Sequence, residues 1–420
     1  MARKPPVIPP RSYMNPFRPG NGQQPLYLAG RTTEQEDFAK MLQQRPVYQN
    51  LVLTGLRGVG KTVLLNELKP IAQSANWLWA GNDLSESASL SGERIARRLI
   101  TDLSALLGPL LRQEAPPDGA IGFLHQEVAK TRPLAFEDLW AIYEKSPGLV
   151  EDKLKCVIQV VADIIGQTDL RGIVFAYDEA QNLTDHKAAD EFPLSLLLDV
   201  FSYFQRRAHK CGLMLVLCGL PTILPKLNEA RTYTERMFHI MRLQRLDEDA
   251  ARLAILRPIE IAKSELKFPD NVVDDIIGMS GGYPYFIQFI CKEVFDAWIV
   301  KAKDGLTPVV AKQEILDKLD EDFFAGRWLR ATDRQQEFLQ VIASLENGED
   351  EFSVGDIVAA SKQILRKGFS ASHAAQMLLA LAEKGLVYKS RRGSYMLAVP
   401  LMARFIMRQS MPINHPKHQP

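Results

Sequence analysis

An α/β fold is what the sequence predicts: a parallel sheet covered by helices, then an all-helical segment, then a unit of three helices and a hairpin. Three observations predict it. Apolar runs without polar alternation, Leu51-Val52-Leu53, Gly172 to Tyr177 and Leu213 to Leu217, read as strands buried on both faces. Segments of helical period separate them, so the crossovers are right-handed. Between the first run and its helix stands Gly55-Leu56-Arg57-Gly58-Val59-Gly60-Lys61-Thr62, a G-x-x-x-x-G-K-T loop.

The chemistry of that loop is anion binding. Its glycines let the backbone curl so that several N–H groups face one point. The helix opening at Val63 adds its positive end to the same point. Gly55, Gly58, Val59, Gly60, Lys61, Thr62 and Val63 are therefore the expected contacts to a nucleotide. Lys61 is placed to reach the β- and γ-phosphates, and Thr62 to hold Mg²⁺. The expected ligand is ATP with Mg²⁺, and the expected reaction is ATP hydrolysis.

Taken in order, the elements support this plan. A basic, proline-rich arm (1–24) precedes a core expected over 25–245. Its first helix spans Glu34 to Leu42. After the loop comes a strand at Asn76 to Ala80, then a helix through Ile95, Leu99, Leu103 and Leu106, capped by Ser89 or Ser91. Residues 108–150, punctuated by Pro116-Pro117, Pro133 and Pro147, read as an insertion of short helices. Leu154, Val157, Val160, Val161 and Ile164 mark a longer helix. After the strand ending at Tyr177, a helix from Pro193 to Arg207 leads to the strand at Leu213 to Leu217. An α-helical lid (246–325) contains helices at Asp249–Leu256, Asp270–Met279 and Tyr285–Ile299. From 326 to 410, Ser353-x-x-Asp356 opens one of three helices, Ser370 or Ser372 another, and Gly385 stops it. Leu386 to Lys389 and Tyr395 to Val399 flank a turn at Arg391-Arg392-Gly393. Three helices plus this hairpin suggest a winged helix, followed by a tail (411–420).

A loop of this kind needs an acidic pair at the end of another strand. Asp178-Glu179 follows Val174-Phe175-Ala176-Tyr177 and meets that need, with Asp178 on Mg²⁺ and Glu179 as general base. Enzymes of this type often take an arginine from a neighbouring subunit. Arg231, Arg236 and Arg242 are candidates, and spacing does not choose among them.

The bulk numbers exclude several classes. The chain has 420 residues, 46% hydrophobic and 24% charged, with net charge +1. No global field points to nucleic acid or membrane, so any basic surface is local. Cys156, Cys211, Cys218 and Cys291 form no C-x-x-C pair and no metal spacing. A reducing cytoplasm is the compartment this implies. No apolar stretch approaches bilayer length, and the N-terminal residues lack the apolar core of a signal peptide.

These residues together resemble the AAA+ ATPases of the origin-recognition-like group, in their bacterial form, from about Asn15 to Arg408. Four stretches carry the resemblance. Pro16-Phe17-Arg18-Pro19-Gly20 with Leu28-Ala29-Gly30-Arg31 is similar to the segment that wraps the adenine, which implies Gly30 and Arg31 as nucleotide contacts. Leu53 through Thr62 matches the phosphate loop, and Asp178-Glu179-Ala180-Gln181 the acidic motif. Glu235-Arg236-Met237-Phe238 resembles the box whose arginine enters the neighbouring subunit, which implies Arg236 as the catalytic finger and a homo-oligomer or an ATPase neighbour. Two departures stand out. Where a polar sensor usually follows the strand ending at Leu217, the chain has Cys218-Gly219-Leu220-Pro221. Where the lid usually carries a sensor arginine, it has Ser280-Gly281-Gly282-Tyr283-Pro284-Tyr285. That G-x-P pattern is similar to the signalling STAND ATPases, which implies Pro284 near the base and ribose and a slow switch.

The winged helix invites a duplex-DNA reading. Ser372, His373 and Gln376 lie near the start of its third helix, where base edges are met. Lys389, Arg391 and Arg392 on the wing suit phosphates, and Arg404 and Arg408 follow. From Trp328 onward there are twelve Lys/Arg against eight Asp/Glu, a mild excess. The rival expectations are a STAND-like defence scaffold that binds a protein partner and no DNA, and the ATPase subunit of a transposition or secretion machine.

Overall fold

The computed structural model describes residues 14–107, 111–113, 131–207, 210–301, 310–391 and 393–410. They fall into two compact units. Thr33–Thr54 and Leu64–Arg242 form one, and the other described residues, Gly55–Val63 among them, form the second.

The first unit is a covered sheet. Helix α1 (Thr32–Gln43) leads to β1 (Asn50–Gly55), and α2 (Lys61–Ser74) to β2 (Trp77–Ala80). Then follow α3 (Gly92–Leu107), the short antiparallel pair β3 (Leu111–Gln113) and β4 (Thr131–Pro133), α4 (Phe136–Lys145) and α5 (Val150–Ile165). The expected insertion of short helices is thus corrected: it contains a strand pair as well as one helix. Next come β5 (Gly172–Tyr177), α6 (Pro193–Gln205), β6 (Gly212–Gly219), α7 (Ile223–Ala230), α8 (Thr234–Met237) and β7 (Phe238–Leu243). The strand order is β2-β5-β6-β1-β7, with β2, β5, β6 and β1 paired in parallel. Every residue of β1 and β5 is buried, as continuous apolar runs require. Strand β7 was not expected; it closes an edge and exposes Arg242, so its pattern lacks the apolar run of the inner strands.

Register aligns the sheet's carboxyl edge. Thr54 pairs with Gly219 and Tyr177 with Leu217. The carboxyl ends of β1 and β5 therefore lie at the same edge, with β6 between them. Gly81 lies close to that edge at φ +124°, where an added Cβ would stand 1.9 Å from the Ala176 carbonyl oxygen.

The second unit is largely helical: α9 (Glu248–Ile261), α10 (Asp270–Ser280), α11 (Pro284–Lys301) and α12 (Lys312–Leu319). A π-turn (Asp320–Ala325) and α13 (Gly326–Trp328) lead into α14 (Asp333–Ala343), β8 (Phe352–Ser353), α15 (Val354–Ile364), α16 (Ala371–Glu383), β9 (Val387–Arg391), β10 (Ser394–Leu397) and α17 (Met402–Ser410). The small antiparallel sheet runs β8-β10-β9. One apolar core runs through the unit, from Phe17 to Ile406. Residues 1–13 of the proline-rich arm lie outside the described residues. Phe17 is buried, with ring centroids 6.1 Å from Phe268 and 6.4 Å from Phe295. Asn15 donates to the Lys292 carbonyl at 3.0 Å. No helix among the described residues is long and apolar enough to cross a membrane.

Candidate functional site

The phosphate loop owes its shape to glycine where only glycine fits. Gly58 and Gly60 sit at φ +77° and +91°. A Cβ on Gly58 would stand 3.1 Å from Tyr285 Cβ, and one on Gly55 would stand 2.5 Å from the Leu243 carbonyl oxygen. Lys61 Nζ donates to the carbonyls of Gly55 and Leu56 at 3.0 Å each, so the ammonium is folded over the loop it serves.

Sequence-distant residues of the same unit brace this loop. Arg31 is buried; its Nη2 donates to the Val59 carbonyl at 3.1 Å and the Gln244 carbonyl at 2.7 Å. Gly30, at φ +62°, allows close approach, since a Cβ there would stand 2.6 Å from Ala250 Cβ. Pro284 Cγ lies 4.0 Å from a Cβ built on Gly60, and the Tyr285 amide donates to the Gly58 carbonyl at 3.1 Å. The structure therefore gathers Gly30, Arg31, Gly55, Gly58, Val59, Gly60, Lys61, Thr62, Val63 and Pro284 in one unit. Sequence reasoning missed Tyr285, which carries no signal beyond its place after Pro284. Arg327 lies in the same unit, its guanidinium 4.3 Å above the Phe323 ring and donating to the Phe323 carbonyl. Burial, with Arg57 and Arg330 nearby, pushes the Arg327 pKa down.

The acidic turn is built in the first unit. Asp178 is buried, and its Oδ1 accepts from the Glu179 amide at 2.7 Å. Asp178 and Leu84 are joined through the Leu84 amide at 2.9 Å. Glu179 is exposed and holds a left-handed backbone, φ +53° and ψ +32°, sparsely populated for a residue with a Cβ. Beside them, the Asp83 carboxyl is pushed above the usual carboxylate range by burial and then by the charges of Asp178 and Glu179. Negative charge thus concentrates at the sheet edge, which suits a cation. Among the described residues, no group of three or more His, Cys, Asp or Glu is arranged to hold a metal by itself.

Of the three arginines, the structure removes one. Arg231 is committed to Asp199: its Nε donates at 2.8 Å, and its Nη1 donates to Ser195 Oγ at 2.7 Å. Arg236, on α8, and Arg242, on β7, are exposed.

The C-terminal candidates divide as well. Ser372, Gln376 and Lys389 are exposed, while His373 is half-buried with its ring 5.4 Å from Phe369. Ser370 caps α16 by accepting from the His373 amide at 3.2 Å. The Arg391 side chain and Arg392 lie outside the described residues. Arg404 and Arg408 are used inside the unit. Arg404 donates to the Gly278 carbonyl at 2.9 Å and pairs with Glu349 at 2.9 Å, while Arg408 Nε donates to Asp320 at 3.0 Å.

Residues 27–217 match the family model described as AAA ATPase domain, and residues 321–406 match one described as a domain of unknown function. No curated protein matches the chain. The chain is similar to the ORC2 protein of Aeropyrum pernix in its ADP form, at 13% identity and TM-score 0.54, over 95% of this chain and 98% of that one. The same protein in its ADPNP-ADP complexes gives 14% identity and TM-score 0.52, over 94% and 95%. Cdc6p of Pyrobaculum aerophilum aligns at 14% identity and TM-score 0.46, over 93% and 97%. The two ORC2 likenesses are of fold, and the fold is the α/β phosphate-loop ATPase architecture that the sequence predicts.

Proposed function

We propose that this chain, an ATP hydrolase whose residues 27–217 match the AAA ATPase domain model, is a slow nucleotide switch that assembles on duplex DNA. The observation that carries the nucleotide reading is the phosphate loop itself, curled at Gly58 and Gly60, with Lys61 folded over it and Arg31 and Tyr285 bracing its carbonyls. Loop amides and Lys61 bind the phosphates. Gly30, Arg31 and Pro284 border the base and ribose. Thr62 and Asp178 are the residues assigned to Mg²⁺, which offsets phosphate charge when bound. Glu179 takes the proton of the attacking water. Arg236 of a neighbouring subunit completes the site, so a homo-oligomer or an ATPase neighbour is required. Lys61→Ala tests the first part: affinity for ATP with magnesium falls by about tenfold or more in an equilibrium binding assay. Unchanged affinity sinks the reading.

DNA binding is assigned to the C-terminal helices and hairpin, read as a winged helix. Ser372, His373 and Gln376 face bases, and Lys389, Arg391 and Arg392 hold phosphates. Duplex affinity should fall steeply with salt and drop further on Arg391→Glu/Arg392→Glu. We assign the protein to the cytoplasm on its cysteine usage, since Cys156, Cys211, Cys218 and Cys291 form no C-x-x-C pair and no metal spacing.

One observation favours a second reading, a STAND-like scaffold that binds a protein partner. The Tyr285 amide bonds the loop, the Tyr285 ring lies 5.2 Å from Phe323, and Phe324 stacks 5.2 Å from Phe405 on α17. The C-terminal helices are thereby tied to the loop's surroundings, as in a closed resting state. Absence of duplex binding at low salt selects this reading.

A further inference from the structure

The residue after β6 offers no polar side chain, yet this end of the sheet is not without a polar contact. The contact comes from the acidic turn. Gln181 lies in the 3-10 turn Ala180–Asn182 that follows Glu179. Its Nε2 donates to Glu179 Oε2. Its Oε1 accepts from the Leu220 amide at 2.9 Å. The two partners dictate the amide's orientation: turned over, its oxygen would face a carboxylate and its NH₂ a backbone N–H.

The surroundings are shaped for this bridge. Gly219 ends β6, and a Cβ there would stand 2.7 Å from Gln181 Oε1 and 3.1 Å from the Gln181 amide nitrogen. Lys226 on α7 donates to the Gln181 carbonyl at 2.5 Å, and burial holds its pKa below the usual lysine value. Asn182 Nδ2 donates to the Leu84 carbonyl at 2.8 Å, which pins the other side of the turn to the segment after β2. Glu179 is exposed, and Gln181 is the only side chain among the described residues seen to donate to its carboxylate. Without that donor, an exposed glutamate would sample several rotamers.

We propose that Gln181 is a positioning residue for hydrolysis: its side-chain amide aims the Glu179 carboxylate and couples it to the segment Cys218 to Lys226. The polar side chain belongs to the acidic turn, and the chain just after β6 meets it with the Leu220 backbone N–H. The segment so coupled continues through α7 to α8, which bears Arg236, so a neighbour that engages Arg236 can shift the aim of Glu179. The proposal rests on Glu179 being the general base.

The experiment uses the full-length chain and steady-state ATP hydrolysis, with melting monitored by circular dichroism. Gln181→Ala removes the bridge, and Gln181→Glu keeps its length while replacing the donor by a second acceptor. Both should lower kcat by about tenfold or more and leave KM and ATP affinity within about threefold, the loss expected for one charge-assisted hydrogen bond. Should Gln181→Ala not fold, Gln181→Met of matching length replaces it. Unchanged or faster turnover overturns the proposal, as does a loss of ATP affinity that matches the loss of rate. Glu179→Gln is measured beside them. Turnover that survives Glu179→Gln rejects the base assignment; turnover lost there but kept in the Gln181 variants rejects this inference alone.

Discussion

Asp102 is a carboxylate placed where water is scarce. Its Oδ2 accepts from Tyr177 Oη at 3.0 Å and from Arg98 Nε at 3.0 Å. Tyr177 is buried and immediately precedes Asp178, so this network steadies the strand end that carries the acidic turn. Burial raises the Asp102 pKa above the ordinary carboxylate value, with Arg98 and the Tyr177 hydroxyl opposing. The sign follows from proton binding: where the folded state holds more protons than the unfolded, stability falls as pH rises. The wild type should therefore lose stability as pH rises from the ordinary aspartate range through the raised pKa, and Asp102→Asn should lack that loss. Thermal melts between about pH 4 and 7 check it, and parallel curves for the two proteins refute it. The residue scale also shows what a sequence discloses. The phosphate loop was legible because its eight consecutive residues are themselves the binding geometry. Asp102 was not, since a single acid on the apolar face of α3 has no spacing signature. Nor was the bridging role of Gln181, whose partner Leu220 is 39 residues away.

Among elements, the inner strands β1, β5 and β6 were readable as apolar runs because both of their faces are covered. The edge strand β7 was not, because only part of it is buried. The elements just before β7 put two of the candidate arginines in different surroundings. Arg231 follows α7 and is held by Asp199, whose pKa is lowered by hydrogen bonds from Arg231 and Tyr233 even though burial acts the other way. Arg236 sits in α8, exposed. Arg231→Ala should lower the melting temperature by a few degrees, since it leaves Asp199 short of its cation. Arg236→Ala should leave melting and nucleotide affinity unchanged while turnover of the assembled protein falls by about 10² or more. Equal turnover in Arg236→Ala and wild type would remove the finger assignment. The capping box at Ser353 and Asp356 was readable from four residues, with Ser353 Oγ accepting from the Asp356 amide at 3.2 Å. Helix α17 lay past the last motif and was not anticipated.

At the scale of the whole molecule, the phosphate loop shares its compact unit with residues from both ends of the chain. Pattern reading divided the chain into successive segments, whereas packing groups the N-terminal Phe17, the loop and the helices after Leu243 together. Contacts between residues far apart in sequence decide this, and periodicity does not record them. Phe405 on α17 tests the consequence. It is buried, stacked against Phe324 and 6.1 Å from Trp328. Phe405→Ala should cost about 3–5 kcal/mol and, although remote in sequence from the loop, weaken ATP binding. Denaturant unfolding and a fluorescent-nucleotide titration check both; full affinity in a destabilised variant would show that the loop holds its shape without the distal helices.

Vectorial synthesis gives the Tyr285-to-Gly58 hydrogen bond a further meaning. A ribosome releases the glycine loop early, but Tyr285 and the helices that close its unit emerge only after the sheet strands have been made. A half-finished polypeptide therefore carries the motif without its clamp, and the loop's full set of braces is complete only late in translation.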